Sequence, residues 1–172
     1  MRYSLALLLL AAASPASAAE VFGGLTVHDV DTPLNKGGFE GGLDVQAGFR
    51  GSRIGVLKAI GAPSPYGFVS VSTEGATNLA AAGLSWKIGH RLFLRPGLGL
   101  AIHDRSSHVV HGAFRGDLGS RILFEPELGL GFRIDPRWSA EATWVHVSHA
   151  RLFSDQNPGM DNIGVRIGYS FR

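Results

Sequence analysis

A histidine, a serine and an acid in the last third of the chain have the residue types needed for nucleophilic catalysis. His146 and Ser148 lie two residues apart, and Asp161 follows after a short loop. Hydrolysis by a serine needs a hydroxyl nucleophile, a base that takes its proton and an acid that orients the base. The spacing is equally compatible with polar side chains that only solvate a strand end, so the surrounding elements must decide.

The residues around this trio alternate as they do in a β-strand. Trp138 and Trp144 share the parity of His146 and Ser148, and Asp161 shares the parity of the apolar residues that follow it. Because successive side chains of a strand point to opposite faces, all three polar residues are predicted on the apolar face. Polar groups that face hydrocarbon are costly unless satisfied, so this placement indicates a function.

Eight segments of the chain show this period of two and are separated by turn residues. The predicted strands are 21–30, 39–50, 66–73, 77–88, 91–103, 118–134, 137–148 and 162–172. The segment 51–65 has no clear pattern, and a short helix or an irregular connection is expected at 54–60. An even number of strands, several of at least about 9–11 residues, is typical of membrane barrels. We therefore predict an all-β fold, an eight-stranded antiparallel transmembrane β-barrel of the bacterial outer membrane.

Residues 1–19 are predicted to be a secretory signal peptide. Arg2 precedes an apolar run at 5–13, and small residues at 16–18 form a cleavage site. This leaves 20–172 as one barrel domain. The chain has no cysteine, so no disulfide holds it together, and its 16 basic and 14 acidic residues show none of the basic clustering of nucleic-acid-binding proteins.

Strand order assigns each connection to one end of the predicted barrel. With both termini in the periplasm, the connections after the second, fourth and sixth strands are periplasmic. Two of these are tight turns, at 89–90 and 135–136, as is usual on that side. The loop 149–160, between the serine and the aspartate, is then extracellular.

Two other sets of polar residues have a chemical interpretation. Four histidines lie at strand ends or in the loop after the fifth strand, but their spacing matches no strong metal-ligand pattern. These histidines are His28, His103, His108 and His111. Glu125 and Glu127 could do acid–base work, but pairing with Arg121 or Arg133 explains them better. We therefore predict no metal and no cofactor.

The last third of the chain resembles a known enzyme family. His-Val-Ser at 146–148 and Asn-Pro-Gly-Met-Asp at 157–161 are similar to the lipid A 3-O-deacylase (PagL-type, acyloxyacyl hydrolase) family. Looser similarity at 22–24, 41–44 and 118–121 extends over the mature chain. The resemblance implies an eight-stranded outer-membrane barrel that removes an ester-linked acyl chain from lipid A without a cofactor.

The resemblance also implies a role for each residue of the trio. The serine is the nucleophile, the histidine is the base, and the aspartate stands where the best-known members have a glutamate that orients the base. Backbone amides from His149 to Arg151, or the Asn157 side chain, are candidates for oxyanion donors. His149 occupies a position where the family often has asparagine, and Arg151 could contact a lipid A phosphate.

We therefore expect a serine esterase in the outer membrane of a Gram-negative cell. Its substrate would be the 3-O-acyl chain of lipid A in lipopolysaccharide of the outer leaflet. Two alternatives stay open: a non-enzymatic structural or adhesive small barrel, and a phospholipase or acyltransferase. The sequence does not decide between a monomer and a homodimer.

Overall fold

The computed structural model describes residues 19–35, 40–105, 118–152 and 158–171. The predicted signal peptide lies outside these ranges except for Ala19, whose carbonyl accepts the N–H of Phe171 at 2.9 Å. The described strands are β1 (Glu20–Val27), β2 (Leu43–Arg50), β3 (Ser64–Ser72), β4 (Leu79–Ser85), β5 (Ile88–Gly89), β6 (Leu92–His103), β7 (Ile122–Arg133), β8 (Trp138–Val147) and β9 (Met160–Ser170).

These strands form a closed antiparallel barrel. β1 pairs with both β2 and β9, and β4 pairs with β6, so the sheet closes on itself. The two-residue β5 also pairs with β6 and continues the line of β4, so the nine segments make eight barrel strands. The predicted eight-stranded antiparallel fold is confirmed, with the seventh and eighth predicted strands corresponding to β8 and β9. In the described part of the chain, no helix is both long and apolar enough to cross a membrane.

Several predicted strands are longer than the observed ones, and glycines explain two of the differences. The second strand begins at Leu43 rather than at 39, because Gly42 has a φ of 103°, outside the extended region. The predicted strand 118–134 begins only at Ile122, after Gly119 with a φ of 75°. Between β2 and β3 a 3-10 helix occupies Gly55–Ile60, which is the helical alternative for that segment.

The outer face of the barrel is apolar. Side chains from five strands are 48% to 62% exposed although they are aliphatic: Leu25, Val45, Leu100, Leu130 and Val165. Such a surface is unfavourable in water but matches the hydrocarbon that surrounds a membrane barrel. Alternation along each strand therefore leaves the charged residues for the interior.

The interior is filled by ion pairs. Arg50 contacts Glu20 at 2.7 Å and Glu141 at 3.0 Å, and Arg95 contacts Glu141 at 2.9 Å. All four side chains are buried, so each charge depends on its partners for stabilisation. Glycines make room for large side chains, since a Cβ at Gly131 would lie 2.1 Å from the Phe93 ring.

The partners predicted for Glu125 and Glu127 are wrong. Glu127 pairs with Arg166 of β9, at 2.6 Å, rather than with Arg121 or Arg133. Arg121 is exposed just before β7 and donates to a backbone carbonyl instead. The reason is geometric: side chains that point into the narrow lumen can meet across an intervening strand, so the partner of Glu127 comes from β9, on the other side of β8.

The two ends of the barrel differ. One end, here called the turn end, carries the N-terminal residue of β1 and the short connections 90–91 and 134–137. The other end, here called the loop end, carries the connections 28–42, 104–121 and 148–159. His146 and Ser148 lie at the loop end.

Candidate functional site

The paired strands β8 and β9 position the candidate residues. His146 is the direct partner of Asp161 in the antiparallel register, three pairs beyond Thr143 and Gly164. Along β8, Ser139, Glu141, Thr143 and Val145 are buried, so the even-numbered residues face outward. The structure therefore places His146 and Ser148 on the outer surface, with Trp144 beside them.

The three side chains form one chain of hydrogen bonds. The distance from His146 Nδ1 to Asp161 Oδ1 is 2.8 Å, and that from His146 Nε2 to Ser148 Oγ is 3.0 Å. A carboxylate can only accept, so Nδ1 carries the imidazole proton and Nε2 accepts from the serine hydroxyl. This is the arrangement in which a serine can lose its proton to the histidine while it attacks an electrophile.

The Asp161 carboxylate is fully buried and satisfied by three donors. The indole Nε1–H of Trp144 donates to Oδ1 at 2.8 Å, the same oxygen that accepts from His146. The hydroxyl of Thr32 donates to Oδ2. A buried carboxylate needs such partners, because an unpaired charge away from water is strongly unfavourable. The acid is therefore held on both of its oxygens.

Thr32 and Trp144 were not identified as site residues from the sequence. Trp144 carried a signal, since it shares the parity of His146 and lies two residues before it. Thr32 carried none, because it lies 129 positions from Asp161 in the connection between β1 and β2. Only closure of the barrel, which pairs β1 with β9, brings that connection to the site.

Backbone contacts fix the end of β8 around Ser148. The Ser148 N–H donates to the Phe124 carbonyl at 3.1 Å, and the Phe124 N–H donates back to the Ser148 carbonyl at 2.8 Å. A tight turn follows, closed by a bond from the Leu152 N–H to the His149 carbonyl at 2.9 Å. Its two central residues, Ala150 and Arg151, have φ values of 52° and 59°. Left-handed backbone is strained for non-glycine residues and is often found at functional sites.

The other predicted candidates lie around this turn. The His149 side chain is 0% exposed and has the inward parity, opposite to that of Ser148. Arg151 is exposed in the turn, and Asn157 lies outside the described residues. Gly159, with a φ of 71°, lies against the imidazole: a Cβ there would be 3.1 Å from His146 Cε1.

A polar group inside the barrel lies directly beneath this site. We call it the loop-end cluster; its members are His28, Asp29, Glu40, Asp44 and Asn162. His28 lies between two carboxylates, with Nδ1 2.9 Å from Asp44 and Nε2 3.0 Å from Glu40. Burial alone would lower the pKa of His28, but these hydrogen bonds and charges raise it to about 9. His28 is therefore charged at neutral pH.

Comparison with known proteins decides the family. The family model described as "Lipid A 3-O-deacylase (PagL)" matches residues 34–170, which is most of the chain and includes β2 to β9. The chain belongs to this family. PagL proteins are lipid A 3-O-deacylases, which are ester hydrolases, so the expected enzyme class is confirmed. No curated protein matches the chain.

Solved structures support the same fold. The crystal structure of the outer membrane enzyme PagL matches with a TM-score of 0.62 and 13% identity, over 88% of this chain and 99% of that one. The outer membrane protein Ail of Yersinia pestis matches with a TM-score of 0.52 and 13% identity, over 90% of this chain and 99% of that one. At these identities the likeness shows the barrel architecture, which points to the outer membrane.

Proposed function

We propose that this PagL-family chain hydrolyses the 3-O-acyl ester of lipid A, with Ser148 as nucleophile, His146 as base and Asp161 as orienting acid. The observation that carries the proposal is the continuous hydrogen-bond chain from Asp161 through His146 to Ser148, at 2.8 and 3.0 Å. These three hydrogen-bonded side chains lie on the apolar outer face, where an acyl ester of a membrane lipid can approach from the side.

Each step of the reaction follows from the proton positions. The Ser148 Oγ attacks the ester carbonyl carbon while its proton passes to His146 Nε2. The tetrahedral intermediate collapses, the bond to the sugar oxygen breaks, and that oxygen takes the proton from Nε2. Water then attacks the acyl-serine with His146 again as base, which releases the fatty acid and restores the serine. Asp161 stabilises the imidazolium in both halves.

The oxyanion of the tetrahedral intermediate needs donors close to Ser148. In this proposal they are backbone N–H groups of the strained turn that follows the nucleophile, from His149 to Arg151. The Leu152-to-His149 bond of 2.9 Å closes this turn and restricts the motion of its amides. Rigid amides stabilise developing negative charge without reorganisation at the moment of reaction.

The membrane location completes the proposal. A signal peptide at 1–19 exports the chain, the turn end faces the periplasm, and the loop end faces outward. The site then lies at the level of the outer leaflet, where lipopolysaccharide resides. The exposed guanidinium of Arg151 would contact a phosphate of the substrate.

The test compares Ser148→Ala with Ser120→Ala, a serine at the same end whose hydroxyl donates to the Ile122 carbonyl. Purified barrels are incubated with lipopolysaccharide and, separately, with phospholipid vesicles, and the lipids are analysed by mass spectrometry. The native chain and Ser120→Ala should release one acyl chain from lipid A only, and Ser148→Ala none, while all three remain heat-modifiable on gels.

Two results would count against the proposal. Acyl release by folded Ser148→Ala would refute the nucleophile assignment. Release from phospholipid but not from lipopolysaccharide would refute the substrate.

A further inference from the structure

The connection between β1 and β2 is attached to two adjacent residues of β9. The Val30 N–H donates to the Asp161 backbone carbonyl at 2.7 Å, and the Thr32 hydroxyl donates to the Asp161 carboxylate on the outer face. On the inner side, the Asp29 N–H donates to Asn162 Oδ1 at 3.0 Å, and Asn162 Nδ2 donates to Asp44 at 2.9 Å. Adjacent residues of β9 therefore hold the same connection, one towards the site and one towards the loop-end cluster.

A compact turn presents the Thr32 hydroxyl to the site. Asn35 closes the turn by accepting the Thr32 N–H at 3.0 Å and donating to the Val30 carbonyl at 2.8 Å. The Leu34 N–H donates to Thr32 Oγ1 at 3.1 Å. Since that oxygen already accepts a bond from Leu34, the hydroxyl proton is free to point at Asp161 Oδ2.

We propose that Thr32 is a positioning residue of this enzyme, which fixes the Asp161 carboxylate so that Oδ1 meets His146 Nδ1. This inference rests on the proposed function. A carboxylate can rotate about its terminal bond, and such sp²-ended torsions have broad wells. The donors of Trp144 and His146 share Oδ1, so Thr32 is the described donor that holds Oδ2. Its loss lets the carboxylate turn and weakens the base without touching the substrate.

The short side chain of Asp161 explains why a hydrogen-bond donor from the neighbouring connection can hold its carboxylate. Asp161 has one rotatable bond fewer than glutamate and reaches His146 at 2.8 Å because the two residues are direct register partners. The carboxylate thus lies close to the strand, within reach of the neighbouring connection. The loop-end cluster contributes indirectly, because Asn162 of the cluster binds the backbone of the connection that carries Thr32.

The experiment measures kcat and KM of the full-length barrel on lipopolysaccharide for three substitutions. Thr32→Val keeps the shape but removes the hydroxyl, Thr32→Ser restores it, and Thr73→Val removes a loop-end hydroxyl that donates to the Leu43 carbonyl instead. We expect Thr32→Val to lower kcat about tenfold or more with KM unchanged, as for loss of a hydrogen bond to a charged group. Thr32→Ser should keep at least about half of the activity, and Thr73→Val should stay within about twofold, as surface changes do.

A double substitution separates positioning from folding. In an Asp161→Ala background there is no carboxylate to hold, so adding Thr32→Val should cause no further loss, whereas a general structural effect would add. The inference is overturned if folded Thr32→Val has native kcat, or if its effect is undiminished in the Asp161→Ala background. If Ser148→Ala is inactive, either of these two results overturns only the role of Thr32. Activity in Ser148→Ala overturns the proposed function itself.

Discussion

Replacing Asp161 with asparagine tests how the site chooses the histidine tautomer. The amide has the shape of the carboxylate but lacks its charge, and it offers one oxygen and one N–H2 group. If the N–H2 group faced His146, Nδ1 would have to accept, and Nε2 would carry a proton and lose its capacity as a base. Loss of the correct tautomer lowers kcat about 10⁴-fold in serine hydrolases.

The structure predicts that this inversion does not occur. The Trp144 indole can only donate, and its Nε1 lies 2.8 Å from the same Asp161 Oδ1 that faces His146. The amide oxygen must therefore take that position, and the N–H2 group faces the Thr32 hydroxyl, which can accept. Only the charge is lost, so the stabilisation of the imidazolium falls by about 2–4 kcal/mol. That corresponds to a loss of about 30- to 1,000-fold in kcat.

The assay follows acyl release from lipopolysaccharide by Asp161→Asn with and without Trp144→Phe. Phenylalanine removes the indole donor, so the amide can rotate and the double variant should fall to about 10⁻⁴ of native activity. Trp138→Phe is the matched control, since Trp138 packs on Tyr169 at the turn end with ring centroids 4.9 Å apart. The reasoning is refuted if Asp161→Asn alone loses about 10⁴-fold and Trp144→Phe adds nothing.

Two further predictions concern the surroundings of the site. Gly159→Ala should lower kcat at least about tenfold while the barrel stays folded, because its left-handed φ of 71° and a Cβ 3.1 Å from His146 displace the imidazole; native kcat would contradict this. Its two carboxylates raise the pKa of His28 to about 9. The protonated imidazole therefore stabilises the fold fully below the unfolded pKa of 6.5, and this stabilisation is lost as pH rises through 9. Melting temperature should therefore fall between pH 7 and pH 10 in the native chain and less in His28→Gln; equal falls would contradict the assignment.

Parity along strands was enough to predict much of the site. His146 and Ser148 share the parity of Trp138 and Trp144, and this places them on the outer face whatever the exact strand bounds. The barrel itself was predictable for the same reason, since alternation survives errors of a few residues at strand ends. Parity does not give distances, so the hydrogen bond of 3.0 Å between the His146 imidazole and the Ser148 hydroxyl could not be predicted from the sequence.

Contacts across the lumen or between distant segments could not be predicted from the sequence. Glu127 pairs with Arg166, 39 positions away, because both side chains point into the lumen from the two strands that flank β8. Thr32 reaches Asp161 only because the first and last strands are neighbours in the closed sheet. Both contacts depend on closure and register, which are properties of the whole sheet rather than of any one segment.

The outward placement of His146 and Ser148 has a consequence for kinetics. Under the proposed function, a site on the wall of a membrane barrel meets its lipid substrate by lateral diffusion in a two-dimensional fluid. The concentration that governs turnover is then the mole fraction of lipid A in the surrounding leaflet, and inert lipid acts as a diluent. The released fatty acid leaves into the same leaflet, so neither substrate nor product has to pass through a lumen that Arg50, Arg95 and their partners fill.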